Sequence, residues 1–335
     1  MSDPTRRESP VSADQEPSGL HKRDPQRATF GVRLHEAMRE RGQLCVGLDP
    51  HAALLDAWGL PDTPAGLERF AMTVVEALAP HVAAVKPQSA FFERHGSAGI
   101  AVLERTLQAL REAGTLAVLD VKRGDIGSTA AAYAQAYLDP ASSLAADALT
   151  VSPYLGFGSL RPFLDTARRH GRGVFVLALT SNPEGPQVQG AVREGRTVAG
   201  HVLADVAAEN AADNAAYTAA DTAADTAADT AADTAADTRP TGGSGSVRGS
   251  VGCVVGATIG PTGECLDVGG PLLVPGLGAQ GGTPQGLRTV FAGVLDRVLA
   301  ASSRDLLAAG PTPQGLRAAS RAAVDALHAA LTLPV

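Results

Sequence analysis

LAVLDVKRGDIGSTAAAYA, residues 116–134, opens on an apolar run and then sets two acids and two bases, Asp120, Lys122, Arg123 and Asp125, into six positions. Apolar runs of the same kind recur along the chain: QLCVGLD (43–49), HVAAVKPQ (81–88), DALTVSP (147–153), GVFVLALTS (173–181), VGCVVGAT (251–258), PLLVPG (271–276) and VLDRVLAAS (294–302). With LAVLDVKR (116–123) they make eight. Segments of helical periodicity lie between them. TPAGLERFAMTVVEALAP (63–80) begins with Thr63 as a predicted N-cap and Pro64 at the first helical position, and SAGIAVLERTLQALREAG (97–114) stops at Gly114, a predicted C-cap. Continuous apolar strands alternating with helices imply a parallel sheet covered on its outer face. Eight such units, with no GxGxxG turn after the first, predict a closed (β/α)8 barrel rather than an open doubly wound sheet.

A barrel of this kind does its chemistry at the C-terminal ends of its strands. Asp49, Lys86, Asp120, Lys122, Ser181 and the stretch PGLGAQGG (275–282) all fall at or just past the ends of runs. Asp120 and Lys122 are two apart, which on a regular strand points both side chains to one face. A structural salt bridge would be the ordinary explanation of such a pair. Lys86 at the end of the neighbouring run and Asp125 beyond Gly124 extend it into an alternating array of acids and bases, which calls for more than a salt bridge.

The chain has 335 residues, and a barrel needs about 250. One domain with additions is expected. Residues 1–27 are polar, charged and Pro-containing and are predicted to be a disordered lead-in; 28–206 and 247–335 form the barrel. Residues 207–246 are predicted to be a low-complexity insertion, weakly helical at best, in which five copies of AADT precede a Gly/Ser linker. A four-residue period drifts around a 3.6-residue helix and leaves no straight apolar stripe. The net charge of −7 resides there: Glu209, Asp213, Asp221, Asp225, Asp229, Asp233 and Asp237 are unaccompanied by Lys or Arg between 207 and 238. The remainder is neutral and shows no basic stripe with interleaved aromatics, so no nucleic-acid partner is expected. An N-terminus without an apolar core and a chain without a long apolar run predict neither export nor membrane insertion. Cys45, Cys253 and Cys265 are odd in number and far apart, which fits a reducing cytoplasm better than a disulfide framework or a metal knuckle. His, Asp and Glu show no metal-ligand spacing, and neither metal nor cofactor is expected.

DVKRGDIGSTAAAYA resembles the signature of the orotidine 5′-phosphate decarboxylases, and LCVGLDPH, VKPQSAFFERHG, SPYLGFGSL, TSNPEG and LVPGLGAQGG resemble the longer bacterial branch of that family. The likeness spans roughly residues 30 to 330 apart from the Ala/Asp/Thr tract, with its motifs in order at successive strand ends. It implies decarboxylation of orotidine 5′-phosphate to uridine 5′-phosphate without a cofactor, in a homodimer. Lys86, Asp120, Lys122 and Asp125 match the family's charged tetrad, with Asp125, Ile126 and Thr129 expected to enter the partner subunit's site. Asp49 matches the acid that contacts the ribose, and Ser181 the residue that hydrogen-bonds the pyrimidine, Thr180 being its alternative. Gln280 matches the phosphate-side glutamine and Arg304 the phosphate-binding arginine, with Arg288 and Arg317 as alternatives. His51 is read as a solvated loop histidine, Glu93 and His95 as structural or rim residues, and Trp58 as packing. Two rivals remain: a magnesium-dependent phosphosugar decarboxylase or aldolase of the same barrel group, and a non-catalytic nucleotide-binding barrel.

Overall fold

The computed structural model describes residues 28–229 and 249–332. The lead-in expected at 1–27, the end of the Ala/Asp/Thr tract and most of the Gly/Ser linker lie outside the described residues. Each of the eight apolar runs contains a strand: β1 (Leu44–Leu48), β2 (Ala84–Pro87), β3 (Leu116–Arg123), β4 (Ala148–Val151), β5 (Gly173–Leu179), β6 (Val251–Val255), β7 (Leu272–Pro275) and β8 (Val298–Ser302). They pair in sequence order, all parallel, and β1 closes the barrel against β8. β1, β4, β6 and β8 are buried along their whole length, because helices cover one face and the barrel interior fills the other.

Helix α1 (Phe30–Arg41) precedes the barrel, and α2 (Pro64–Leu78), α3 (Gly96–Glu112), α4 (Gly127–Leu138), α5 (Arg161–His170), α6 (Val198–Asp229), α7 (Pro284–Val290) and α8 (Pro313–Leu331) follow β1 to β5, β7 and β8. Thr63 caps α2 as expected, its hydroxyl accepting from the Gly66 N–H with Pro64 at the first position. The same Thr-Pro-x-Gly start recurs at α7 and α8, where Thr283 and Thr312 accept from Gly286 and Gly315. Gly114, at φ +66°, turns the chain out of α3.

Helix α1 closes the N-terminal end of the barrel. Phe30, Leu34, Ala37 and Met38 merge with the inward side chains Cys45, Val118, Phe175, Val254, Leu273 and Leu299 in one buried cluster. Phe30 sets its ring edge-on to Phe175 at 5.9 Å and lies over Gly173, where an added Cβ would come within 2.1 Å of it. Arg33 holds Asp147 at 2.7 Å and the Gly171 carbonyl at 3.0 Å, tying the helix to the β4 and β5 entries.

Two features depart from the sequence reading. No helix forms between β6 and β7, since residues 256–271 carry five glycines and two prolines that interrupt any helical run. The expected insertion also does not begin at 207. Helix α6 continues to Asp229, and its 207–213 portion belongs to the barrel's outer layer. Asn210 is fully buried, donating to the Val251 and Val268 carbonyls at 2.7 Å each and accepting from the Val251 N–H at 3.2 Å. Glu209 takes both Arg161 nitrogens at 2.8 Å, and Asp213 takes Arg168 Nε at 2.6 Å. These acids are committed to α5.

Candidate active site

A cavity of about 530 Å³ opens at the C-terminal ends of the strands. Asp49, Lys86, Asp120, Lys122, Ser181, Gln280 and Arg304 all line it. At its centre is Asp120, 7% exposed in the C-terminal half of β3. Its Oδ2 accepts from Lys86 Nζ at 2.8 Å, and its Oδ1 accepts from Lys122 Nζ at 2.6 Å and from the Thr150 hydroxyl at 2.8 Å. Lys86 is equally buried on β2, whereas the Lys122 side chain is about half exposed to the cavity.

Lys122 does not reach Asp120 by strand alternation alone. Its φ is +45°, a left-handed conformation unusual for any residue but glycine, and the β3–β4 register shifts between Leu119 and Arg123. The two side chains do share the cavity face, as expected, and they do so through a strand that is kinked at the lysine rather than regular.

Burial alone would raise the Asp120 carboxyl, but Lys86 and then Lys122 outweigh it and hold the group well below the usual carboxylate range. Burial likewise opposes the Lys86 charge, and Asp120 followed by Asp49 more than restores it, so the ammonium titrates above its ordinary value. The core of the site is therefore a fixed carboxylate between two ammonium groups. Cys45, behind it on β1, has its thiol pushed up to about 12 by burial and remains neutral.

The other parts of the cavity carry open polar groups. Asp49 Oδ1, Gln88 Oε1 and Ser303 Oγ are buried without a hydrogen-bond partner among the described residues. Beyond β5, the Thr180 hydroxyl donates to Asn182 Oδ1 at 2.6 Å and accepts from Gln189 Nε2 at 2.7 Å, while its N–H is held by Gln189 Oε1 at 2.9 Å. Thr180 is thus engaged by its own loop, and Ser181 is the neighbour with a hydroxyl to offer. Beyond β7 the chain folds back on itself, Gly278 N–H to the Gly282 carbonyl at 2.9 Å and Gly282 N–H to the Gly276 carbonyl at 3.0 Å, with Ala279 and Gln280 at the crest facing the cavity. Gly276 and Gly278, at φ +108° and +80°, allow that turn. Arg304, just past β8, lines the same end. Of its alternatives, Arg288 is exposed on α7, and Arg317 on α8 donates to the Ala77 carbonyl on the barrel's outside.

Asp125, Ile126 and Thr129 are not among the residues lining this cavity. Ile126 is 63% exposed, and Asp125 accepts from its N–H at 2.8 Å. Trp58 packs on Phe70 with its N–H on the Leu307 carbonyl, and Glu93 binds Ser89 and Arg123, as structural residues. His51 lines the cavity against the Phe91 ring at 4.3 Å rather than standing in solvent, and Gln88, Phe91, Thr150 and Ser303 are lining residues that sequence reasoning missed. Gln88 and Ser303 stand one residue past β2 and β8, and Phe91 four past β2, so closeness to a strand end was the available signal for those three.

A parallel barrel that sets a buried carboxylate between two ammonium groups beside a glycine-turned loop and an arginine defines an enzyme of the (β/α)8 class that works on a small anionic molecule. Residues 42–318 match the Orotidine 5′-phosphate decarboxylase / HUMPS family, and the chain belongs to that family. It is 56% identical over 282 residues to the orotidine 5′-phosphate decarboxylase of Nocardioides sp., covering 83% of this chain and 91% of that one. It is 53% identical over 279 residues to the Streptomyces coelicolor protein of the same name, covering 83% and 89%. A crystal structure from Streptomyces avermitilis superposes with a TM-score of 0.79 at 51% identity, over 93% of this chain and 99% of that one. Leishmania donovani OMP decarboxylase does so at 0.65 and 29%, over 90% and 99%.

Proposed function

We propose that this chain decarboxylates orotidine 5′-phosphate to uridine 5′-phosphate, without a metal, with Lys122 stabilising and then protonating the carbanion at C6. The observation that carries the reading is the Lys86–Asp120–Lys122 array at the wall of a nucleotide-sized cavity. The C6–carboxyl bond breaks, its electron pair stays on C6, and carbon dioxide leaves. The pair lies in the ring plane without a conjugated sink, so a fixed ammonium beside it supplies the stabilisation. Lys122 Nζ then gives C6 a proton, which water returns. Asp120 lies near the departing carboxylate and holds Lys122; Lys86 positions Asp120. Asp49 accepts from the ribose hydroxyls, Ser181 hydrogen-bonds the pyrimidine, and Gln280 with Arg304 holds the phosphate, whose binding energy serves a reaction some atoms away.

Asp125, Ile126 and Thr129 complete the partner subunit's site in a homodimer. Their placement outside the cavity of their own chain supports this, as does the exposure of Ile126, Tyr154 and Leu155 on the adjoining loops after β3 and β4. We place the reaction in the cytoplasm, where three free thiols remain reduced.

Loss of the orotidine 5′-phosphate absorbance on adding the purified chain, unchanged by excess chelator, is the expected result. Turnover that requires magnesium, or no turnover, would overturn it. For the shared site, Lys122→Ala and Asp125→Asn homodimers should each be nearly inactive. A mixed dimer gathers both defects in one site and leaves the other intact, so random exchange restores roughly a quarter of wild-type activity per site in a closed two-fold dimer. Heterodimers confirmed by mass with no recovered activity would place Asp125 in its own chain's site or in none.

A further inference from the structure

Thr150, on β4, is 1% exposed and makes two hydrogen bonds that converge on the reacting end of the cavity. Its Oγ1 accepts from the Lys122 backbone N–H at 2.9 Å and donates to Asp120 Oδ1 at 2.8 Å. The direction of the hydroxyl proton follows from the charge next to it, since an ionised Asp120 can only accept and leaves the oxygen lone pairs to the Lys122 amide. A hydroxyl that donates to a carboxylate is also the better acceptor.

The amide it holds is the one at the kink. Lys122 sits at φ +45°, and β3 loses register with β4 between Leu119 and Arg123 before the Arg123 carbonyl accepts from the Ser152 N–H at 2.8 Å. A left-handed non-glycine residue is strained and persists only where its surroundings fix it. Here the fixing contact comes from a side chain on the neighbouring strand. Without it, the same amide would lack an acceptor, and the lysine stem would be free to relax toward strand geometry.

We propose that Thr150 is a positioning residue for the reaction: its hydroxyl clamps the Lys122 backbone to the Asp120 carboxylate and so fixes where the Lys122 ammonium is presented. The inference rests on the role given to Lys122 above. It assigns to β4 a part in catalysis without contact to the reacting atoms, because both bonds of the hydroxyl are made within the protein.

The test compares Thr150→Val, which keeps the volume and branching of threonine, with Thr150→Ser, which keeps the hydroxyl. Thr150→Val should lower kcat by about 10- to 100-fold, the range for losing a group that orients a working side chain. KM for orotidine 5′-phosphate and the affinity for uridine 5′-phosphate should change by less than about threefold, the mark of a defect confined to the chemical step. Thr150→Ser should return kcat to within about threefold of wild type. If the valine variant does not fold, Thr150→Cys, whose thiol is a poor acceptor, carries the same expectation. Wild-type kcat in the valine or cysteine variant, a loss shared equally by nucleotide affinity, or a serine variant as impaired as valine would each overturn the clamp. Lys122→Ala in the same assay separates the two readings: turnover surviving there would overturn the role of the lysine itself and the inference built on it.

Discussion

The two ends of the cavity are built on opposite terms. At the ends of β2, β3 and β4 the charged groups are bonded to one another, Asp120 holding Lys86, Lys122 and Thr150, and Gln88 Oε1 is the polar atom left open beside them. Around β1 and β8, Asp49 Oδ1 and Ser303 Oγ are buried without a partner, and Gln280 and Arg304 face the cavity. The first arrangement spends folding energy on a geometry that needs no adjustment during reaction. The second leaves hydrogen-bonding capacity for a ligand, so affinity should reside there and turnover at the saturated end.

The largest effect that could break this division is at Lys122. Lys122→Ala should reduce turnover by at least about 10⁴-fold, since it removes both the fixed charge and the proton donor. Uridine 5′-phosphate should still bind, measured by calorimetric titration; an equal loss of binding would erase the distinction between the ends. Asp120→Ala should cost about 3–5 kcal/mol of stability by chemical denaturation, because it strands Lys86 as a buried unpaired charge. The pH dependence has a definite sign. Asp120 is depressed in the folded protein, so its contribution is complete above the ordinary aspartate value of about 3.9 and is lost as pH falls below it. Lys86 is raised, so its contribution is complete below the ordinary lysine value of about 10.4 and is lost as pH climbs above it. A stability profile that falls already at mildly acidic pH would contradict the pairing.

At the open end, Arg304→Ala should weaken phosphorylated-ligand binding by about 2 to 4 kcal/mol while leaving the melting temperature nearly unchanged. The same loss in Arg288→Ala or Arg317→Ala, and not in Arg304→Ala, would move the anchoring end elsewhere. Asn210 is the control, saturated yet remote from the cavity. Asn210→Ala should cost about 2 kcal/mol of stability by leaving buried backbone groups unbonded, with ligand affinity unaffected. Deleting residues 218 to 246, which spares Asn210, should shift the melting temperature little, because loop length enters closure entropy only logarithmically. A deletion begun at 207 should be far more damaging.

The strands and their ends were legible because a strand buried on both faces must be apolar throughout, and a charge at its end is conspicuous. Asp49, Lys86, Asp120 and Lys122 announced themselves in that way. Thr150 did not, since a β-branched residue inside DALTVSP has an ordinary place in a strand whether or not its hydroxyl has work to do. The Lys122 kink left no trace either, because a left-handed lysine is held by its neighbours rather than by its own preference. The start of the Ala/Asp/Thr tract was misread through composition. AAEN and AADN look like imperfect copies of AADT, but the imperfections Glu209 and Asn210 are the residues that bind the barrel. The glycines and prolines of 256–271 were in plain view and already argued against a helix there.

Helix α1 has a consequence for molecular traffic. The cavity floor includes Leu177, Val254, Leu273 and Ala301, and these side chains join the apolar cluster that ends in Phe30 and Leu34. The barrel axis is thus stoppered from below, and substrate entry shares the upper mouth with the exit of both products. On the proposed placement of the substrate, a gas released at the ends of β2 and β3 must then travel past, or wait behind, a nucleotide held by its phosphate. If Arg304 and Gln280 hold the phosphate as proposed, the order in which the two depart becomes a property of the doorway, set by how long those two residues keep their hold.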